Sequence, residues 1–152
     1  PRVVVLEWLQ PFYVGGHWVP EMVHHAGGIG ALGEPKKPSH HVSLEEIVSA
    51  APEFLFIAPC GYNAEQARNE YLSLTFPEEW RNIPAVREGR VFALDANSYV
   101  SRPAGRLVTG IEAMAKAMHP AMPVRAKAEL TLLPMKSVAQ DRRAASAGSS
   151  SL

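Results

Sequence analysis

Three short apolar runs occur along the chain, and each ends in a loop rich in polar and aromatic residues. They occupy residues 3–6, 54–58 and 91–94. An uninterrupted apolar run of this length, bounded by turn residues, is typical of a parallel strand covered on both faces. The pattern therefore predicts three buried strands with helices between them.

Two capping pairs predict where helices begin. Ser43 with Glu46 forms a capping box at the start of a helix in residues 42–50, and Asn63 with Gln66 offers a second pair. In each pair the first side chain bonds a backbone N–H of the first turn, while the second reaches back to the cap.

Two further helices follow from proline, glycine and apolar spacing. Residues 18–26 are predicted to form a helix. Pro20 is tolerated in its first turn, and Gly27 and Gly28 favour its end. The last helix is predicted to begin at Ser101 as its cap. Its apolar stripe consists of Leu107, Val108, Ile111, Met114, Ala115 and Met118.

The remaining segments carry weaker signals. Residues 31–32 are predicted to form a very short strand, residues 34–41 a loop, and residues 77–80 one helical turn. After Pro123 the composition shifts to Lys, Arg, Ala and Ser, ending in AASAGSSSL.

This shift predicts an α/β domain over residues 1–120 and a loosely ordered tail over residues 121–152. Within the tail, residues 130–135 either add a short strand or pack on the surface.

Strands that alternate with helices predict a three-layer α/β fold with a doubly wound, mostly parallel sheet. Ligands bind such sheets beyond the carboxyl ends of the strands. That rule brings together the loops at residues 7–18, 59–63 and 95–102. They supply Glu7, Trp8, Phe12, Tyr13, His17, Trp18, Cys60, Tyr62, Asn97, Tyr99, Ser101 and Arg102. Aromatic area with a few polar groups is the usual makeup of a small-molecule site.

Composition narrows the class of protein. The 152 residues are 47% apolar and 20% charged, with a formal net charge of zero, so charge indicates neither nucleic acid nor an anionic membrane surface as partner. No apolar run approaches the roughly 20 residues that span a bilayer. No signal-peptide pattern is seen, but the chain begins at Pro1 without a methionine, so its compartment stays open.

Histidine and cysteine patterns do not indicate a metal centre. None of the six histidines has a partner at metal-binding helical spacing, and the single Cys60 excludes an intramolecular disulfide. His17 at the loop edge is either a ligand contact or a solvated side chain. Cys60 is either a pocket wall or a nucleophile that needs a base such as His17.

Several site residues keep two interpretations. Glu7 and Trp8 are either a solvated carboxylate beside a rim aromatic, or a polar anchor with a stacking surface. Phe12 and Tyr13 favour the second interpretation, since no core is evident for them to fill. Arg102 either belongs to a helix start or binds a ligand carboxylate or phosphate.

Three stretches, in this order, resemble the C-terminal lobe of periplasmic solute-binding proteins of the cobalamin (vitamin B12) and iron-siderophore ABC-transporter type. They are RVVVLEWLQPFYVGGHWVPEMVHHAGG, VSLEEIVSAAPEFLFIAPCGY and IPAVREGRVFALDANSYVSRPAGRLVTGIE. The resemblance implies two α/β lobes joined by a long helix, with a bulky ligand clamped between them. It implies a non-enzymatic, extracytoplasmic protein without intrinsic cofactor or metal, whose missing partner is an N-terminal lobe.

The ligand implied is a cobalamin-like corrinoid, haem or ferric siderophore, delivered to an ABC permease. By position, Glu7, Trp8, Phe12, His17 and Trp18 match the first pocket loop of that family. Tyr62 and residues 97–102 match the other two loops. Glu45 matches a surface glutamate that docks permease arginines, and Ser39 stands where some relatives carry a pocket aromatic.

Two other functions stay open. One is a small α/β enzyme that uses Cys60, His17 and Glu7, and the other is a repurposed stand-alone interaction domain.

Overall fold

A mixed seven-stranded sheet runs through the computed structural model, which describes residues 1–101, 105–128 and 130–134. Its strands are β1 (Arg2–Leu9), β2 (Phe12–Val14), β3 (Ile29–Gly30), β4 (His40–His41), β5 (Phe54–Ile57), β6 (Val91–Ala93) and β7 (Thr131–Leu132). The order is β4-β2-β1-β5-β6-β7, with β3 beside the start of β1. Strands β1, β5 and β6 are parallel, while β2, β4 and β7 add antiparallel edges.

Helices cover both faces of this sheet. They are α1 (Val19–His25), α2 (Leu44–Ala50), α3 (Ala64–Ser73), a 3₁₀ helix (Glu78–Asn82), α4 (Pro84–Arg87), α5 (Ala96–Tyr99) and α6 (Arg106–Met118). Alternate residues of β1 enter different cores: Val4 packs with α2, α3 and α4, whereas Val3 packs with α1 and α6. The predicted three-layer α/β fold is thus confirmed.

Both predicted capping boxes are present. The Ser43 hydroxyl accepts a hydrogen bond from Glu46 N at 3.1 Å, and Glu46 Oε2 accepts one from Ser43 N at 2.7 Å. Asn63 and Gln66 repeat the arrangement at 2.8 and 3.0 Å at the start of α3. These signals are local, so the sequence alone determines them.

The prediction of a loop over residues 7–18 is wrong in part, because residues 7–14 belong to a β-hairpin. Strand β1 continues through Glu7 to the buried Leu9, and β2 pairs back against it. The predicted short strand lies at Ile29–Gly30 rather than at residues 31–32. The predicted loop over residues 34–41 ends in β4, which pairs with β2.

The last helix begins later than predicted. Gly105 precedes α6, and the Ser101 hydroxyl instead accepts a hydrogen bond from Gly61 N at 3.3 Å. The predicted stripe is also partly wrong, because Val108 is 57% exposed. The small residue Gly110 lies close to Met22 and Tyr99, so this face of the helix packs inward.

The chain after Pro123 partly joins the fold. Of the two alternatives for residues 130–135, the strand is observed, since Thr131–Leu132 pairs with β6 and Leu133 is buried. The rest of the predicted tail, from residue 135 onward, lies outside the described residues. None of the helices among the described residues has the length and hydropathy of a membrane span.

Candidate functional site

A cleft of about 260 Å³ lies at the carboxyl edge of β1, β5 and β6, between the loops that follow these strands. Its lining consists of Glu7, Gly16, His17, Trp18, Ser39, Ala58, Cys60, Val100 and Ser101. Five of the predicted ligand residues, three from the first loop and one from each of the other two, are therefore brought together in one place.

A β-bulge places Glu7 in this lining. Leu6 pairs with Val14 and Trp8 pairs with Tyr13, so Glu7 is an extra residue on the β1 side of the ladder. Bulges re-aim side chains and are common beside functional sites.

The Glu7 carboxylate is fixed by Ser39. The Ser39 hydroxyl donates a 2.5 Å hydrogen bond to Glu7 Oε2 and accepts one from Gly16 N at 3.1 Å. Burial raises the pKa of the Glu7 carboxyl above its ordinary value, and the Ser39 hydrogen bond and the nearby His17 charge partly oppose this rise. In the sequence Ser39 stands out only as a departure from relatives, and no sequence signal identifies it as the partner of Glu7.

Gly16 allows the segment that carries Ser39 to pack against the first loop. A Cβ at this position would lie 2.4 Å from the Lys37 carbonyl oxygen. The same contact is held by backbone hydrogen bonds from His17 N to Lys37 O, 2.6 Å, and from Lys36 N to His17 O, 2.9 Å. A side chain at position 16 would therefore clash with the protein's own backbone.

Hydrogen bonds tie the three loops to one another. Trp18 Nε1 donates to Val100 O at 2.7 Å, which joins the first loop to the third. Cys60 N donates to Glu7 O at 3.3 Å, which joins the second loop to β1, and Asn97 N donates to Tyr62 O at 3.1 Å. The cleft wall is thus a connected unit.

The other predicted ligand residues lie outside this lining. Trp8 and Tyr62 are half-buried and form an edge-to-face pair with ring centroids 5.6 Å apart. Asn97 is exposed, and Tyr99 packs against the core between the sheet and α6. Arg102 lies outside the described residues.

The structure shows a core for Phe12 that was not evident from the sequence. Phe12 is half-buried and packs against the core, where its ring stacks on Trp80 at 5.7 Å and on Phe76 at 6.3 Å. Tyr13 is 39% exposed and has an edge contact with His41. The sequence offered no sign that Phe12 would meet residues so far along the chain.

The cleft contains a thiol and an imidazole that an enzyme mechanism could use. Cys60 and His17 are both exposed, and in the described part of the chain no hydrogen bond joins the Cys60 thiol to His17. Among the described residues, no group of three or more His, Cys, Asp or Glu side chains is arranged to hold a metal ion.

Glu45 does not line the cleft, and it is exposed in the first turn of α2. It borders a groove of about 370 Å³ between α2 and the 3₁₀ helix. Leu44, Val48, Glu79 and Asn82 form the rest of its lining.

Comparison with known proteins gives one family. Residues 1–98 match the family model described as periplasmic binding protein. A vitamin B12-binding protein of Vibrio parahaemolyticus is 26% identical over 98 residues, which are 64% of this chain and 32% of that protein.

Solved structures give the same fold. The periplasmic vitamin B12 binding protein of Vibrio cholerae matches with a TM-score of 0.62 at 20% identity, over 79% of this chain and 44% of that one. A periplasmic heme binding protein from Pseudomonas aeruginosa matches with a TM-score of 0.67 at 19% identity, over 90% and 49%. The chain therefore spans about a third of the curated relative and less than half of each of these structures.

Proposed function

The chain belongs to the periplasmic binding protein family, and from that membership we propose that it is one lobe of a solute-binding protein for a bulky metal chelate. A cobalamin-like corrinoid is the first candidate ligand, and haem or a ferric siderophore are the others. The protein would bind this ligand outside the cytoplasm and deliver it to an ABC permease.

The connected cleft is the observation that carries this proposal. It gathers Glu7, His17, Trp18, Cys60 and Ser101 from three strand-end loops, and it combines aromatic area with a few hydrogen-bonding groups. At about 260 Å³ it is small for a large chelate, which fits a surface that meets one face of the ligand. Because one lobe buries one face, we expect weak binding by this lobe alone.

The names of the relatives support the class of ligand. The curated relative is a vitamin B12-binding protein, and the structures of similar fold include a vitamin B12 binder and a heme binder. These ligands share a large, planar, metal-bearing ring system. A flat ring suits a wall that offers the half-buried Trp18.

Tryptophan fluorescence tests the proposal. The protein is titrated with cyanocobalamin, haemin and a ferric hydroxamate, with free tryptophan amide as the correction for absorption by the ligand. Saturable quenching beyond that correction supports binding. The Trp18→Phe variant should lose most of it, because Trp18 lines the cleft, whereas Trp8 lies outside the lining and Trp80 is fully buried in the opposite core.

A matched control keeps the assay specific. Glu65→Gln alters an exposed carboxylate on α3 and should leave the quenching unchanged. If none of the three ligands gives a saturable response, even after a first lobe from the Vibrio cholerae relative is fused upstream, the proposal is wrong.

Docking to the permease is proposed for the α2 surface. Glu45 is exposed there beside Glu79, so this surface would suit a basic segment of the permease. Glu45→Gln should weaken binding to the cognate permease in lipid nanodiscs, with no change in the ligand titration. Equal permease binding by the variant and the parent protein would contradict this role.

A further inference from the structure

The Glu7–Ser39 pair has a defined direction of hydrogen bonding. The Ser39 oxygen already accepts the hydrogen of Gly16 N, and a backbone N–H can only donate. The single hydroxyl hydrogen of Ser39 is therefore directed to Glu7 Oε2. The arrangement holds the carboxylate in place and stabilises its ionised form.

The second carboxylate oxygen is left for a ligand. Within the described residues, Glu7 Oε1 has no hydrogen-bond partner, and Glu7 lines the cleft. An ionised carboxylate accepts several hydrogen bonds and donates none. A ligand group beside Oε1 is therefore favoured if it carries an N–H or O–H donor.

The surroundings of Glu7 strengthen this preference. Among the described residues of the cleft, Glu7 is the one carboxylate, and none is a lysine or an arginine. The other titratable side chains there are His17, after β2, and Cys60, after β5. Lys37, on the segment that carries Ser39, is paired with Glu34.

We infer that Ser39 positions Glu7 as a hydrogen-bond acceptor, and that the cleft consequently selects chelates bearing amide or hydroxyl donors over chelates bearing carboxylates. This selectivity rests on the proposed ligand-binding function. A ligand carboxylate at the same point would meet a second negative charge, with no described cationic side chain in the lining except His17 when it is protonated.

Two corrinoids with the same ring provide the test. Dicyanocobinamide carries side-chain amides, and dicyanocobyrinic acid carries carboxylates in their place. Equilibrium dialysis of each against the full chain at neutral pH gives the ratio of their affinities. We expect at least a tenfold preference for the amide form, the size of one hydrogen bond to a charged group. Glu7→Gln should reduce that ratio about tenfold, and Glu65→Gln should leave it unchanged.

The positioning role of Ser39 is tested without ligand. In a ¹³C NMR titration of the Glu7 carboxyl, Ser39→Ala should raise its pKa, because the variant loses a hydrogen bond to the ionised form. The control Ser73→Ala removes a hydroxyl that bonds Glu70 O, away from the cleft, and should not. A merely structural role for Ser39 would not move this titration, so an unchanged pKa overturns the positioning.

The remaining outcomes separate the two proposals. If both corrinoids bind and the ratio is near one, or is the same in Glu7→Gln, the selectivity is wrong while the ligand-binding function stands. If neither corrinoid binds and haemin and the ferric hydroxamate do not bind either, the ligand-binding function is wrong and the selectivity falls with it.

Discussion

Replacement of Gly16 by alanine is expected to disrupt the cleft through its backbone. A Cβ at Gly16 would lie 2.4 Å from the Lys37 carbonyl oxygen and 2.5 Å from both Pro38 C and Ser39 N. All three are backbone atoms, which cannot rotate away as a flexible side chain would. The segment that carries Ser39 must therefore move away from the first loop.

The magnitude follows from the contacts that hold this segment. Moving it breaks the His17 N–Lys37 O, Lys36 N–His17 O and Gly16 N–Ser39 Oγ hydrogen bonds. Each is worth about 0.5–1.5 kcal/mol net. Alanine also lowers the conformational entropy of the unfolded chain, which increases the free energy of unfolding by about 0.4–1 kcal/mol. The free energy of unfolding should therefore fall by about 0.5–4 kcal/mol, with a central value of about 2 kcal/mol that is equivalent to roughly 4–8 °C in Tm.

Urea unfolding followed by circular dichroism measures the change. Gly30→Ala is the matched control, because a Cβ there meets no atom within 4 Å. It should leave stability within about 0.5 kcal/mol of the parent protein. If the two variants are equally stable, the segment over residues 37–39 does not press on Gly16, and the reasoning about the Ser39 contact is refuted.

Three further changes test other parts of the structure. Burial raises the pKa of Glu7 in the folded state. Protonation of Glu7 therefore stabilises the fold fully below the carboxyl pKa of the unfolded chain, about 4.3, and this stabilisation is lost as pH rises through the pKa of the folded state. Glu7→Gln should therefore be more stable than the parent protein at neutral pH and equal to it in acid, by urea unfolding at both pH values; a constant difference would contradict the shift. Ser43→Ala should cost about 1 kcal/mol of stability through the lost capping box, whereas the exposed Ser49→Ala should not, by thermal melts. Phe12→Ala should cost about 3 kcal/mol, because the ring stacks on Trp80, and leave ligand quenching unchanged; reduced quenching in the folded variant would restore Phe12 to the site.

Features that depend on neighbouring residues were predictable from the sequence. Uninterrupted apolar runs located β1, β5 and β6, and the pairs Ser43–Glu46 and Asn63–Gln66 marked two helix starts. The rule for parallel sheets then brought three loops to one edge without knowledge of any contact.

Features that depend on distant residues were not predictable. Phe12 packs against the core because its ring stacks on Trp80 and Phe76, which lie far along the chain. The hairpin that carries Phe12 was not predicted, because the apolar run of β1 is interrupted at Glu7. The apolar stripe predicted for α6 does not include Gly110. The lack of a side chain at Gly110 nevertheless sets which face of α6 packs against Met22.

The sequence predicted which residues meet at the cleft, but it did not predict which of them bond to one another. Glu7 and His17 were placed at the correct edge, but the partner of Glu7, Ser39, comes from a segment 32 residues away. Its hydroxyl carries no distinguishing sequence signal. Pairings of this kind depend on the antiparallel edge of the sheet, which the parallel pattern does not predict.

The hydrogen bond from Trp18 Nε1 to Val100 O has a kinetic consequence. It joins residues 82 positions apart, across two β-α crossovers, and contacts with such large sequence separation form slowly. The cleft is then expected to be completed after the folding transition state. A ligand that bridges the first and third loops would stabilise contacts absent from that state, so it should slow unfolding and leave the folding rate unchanged.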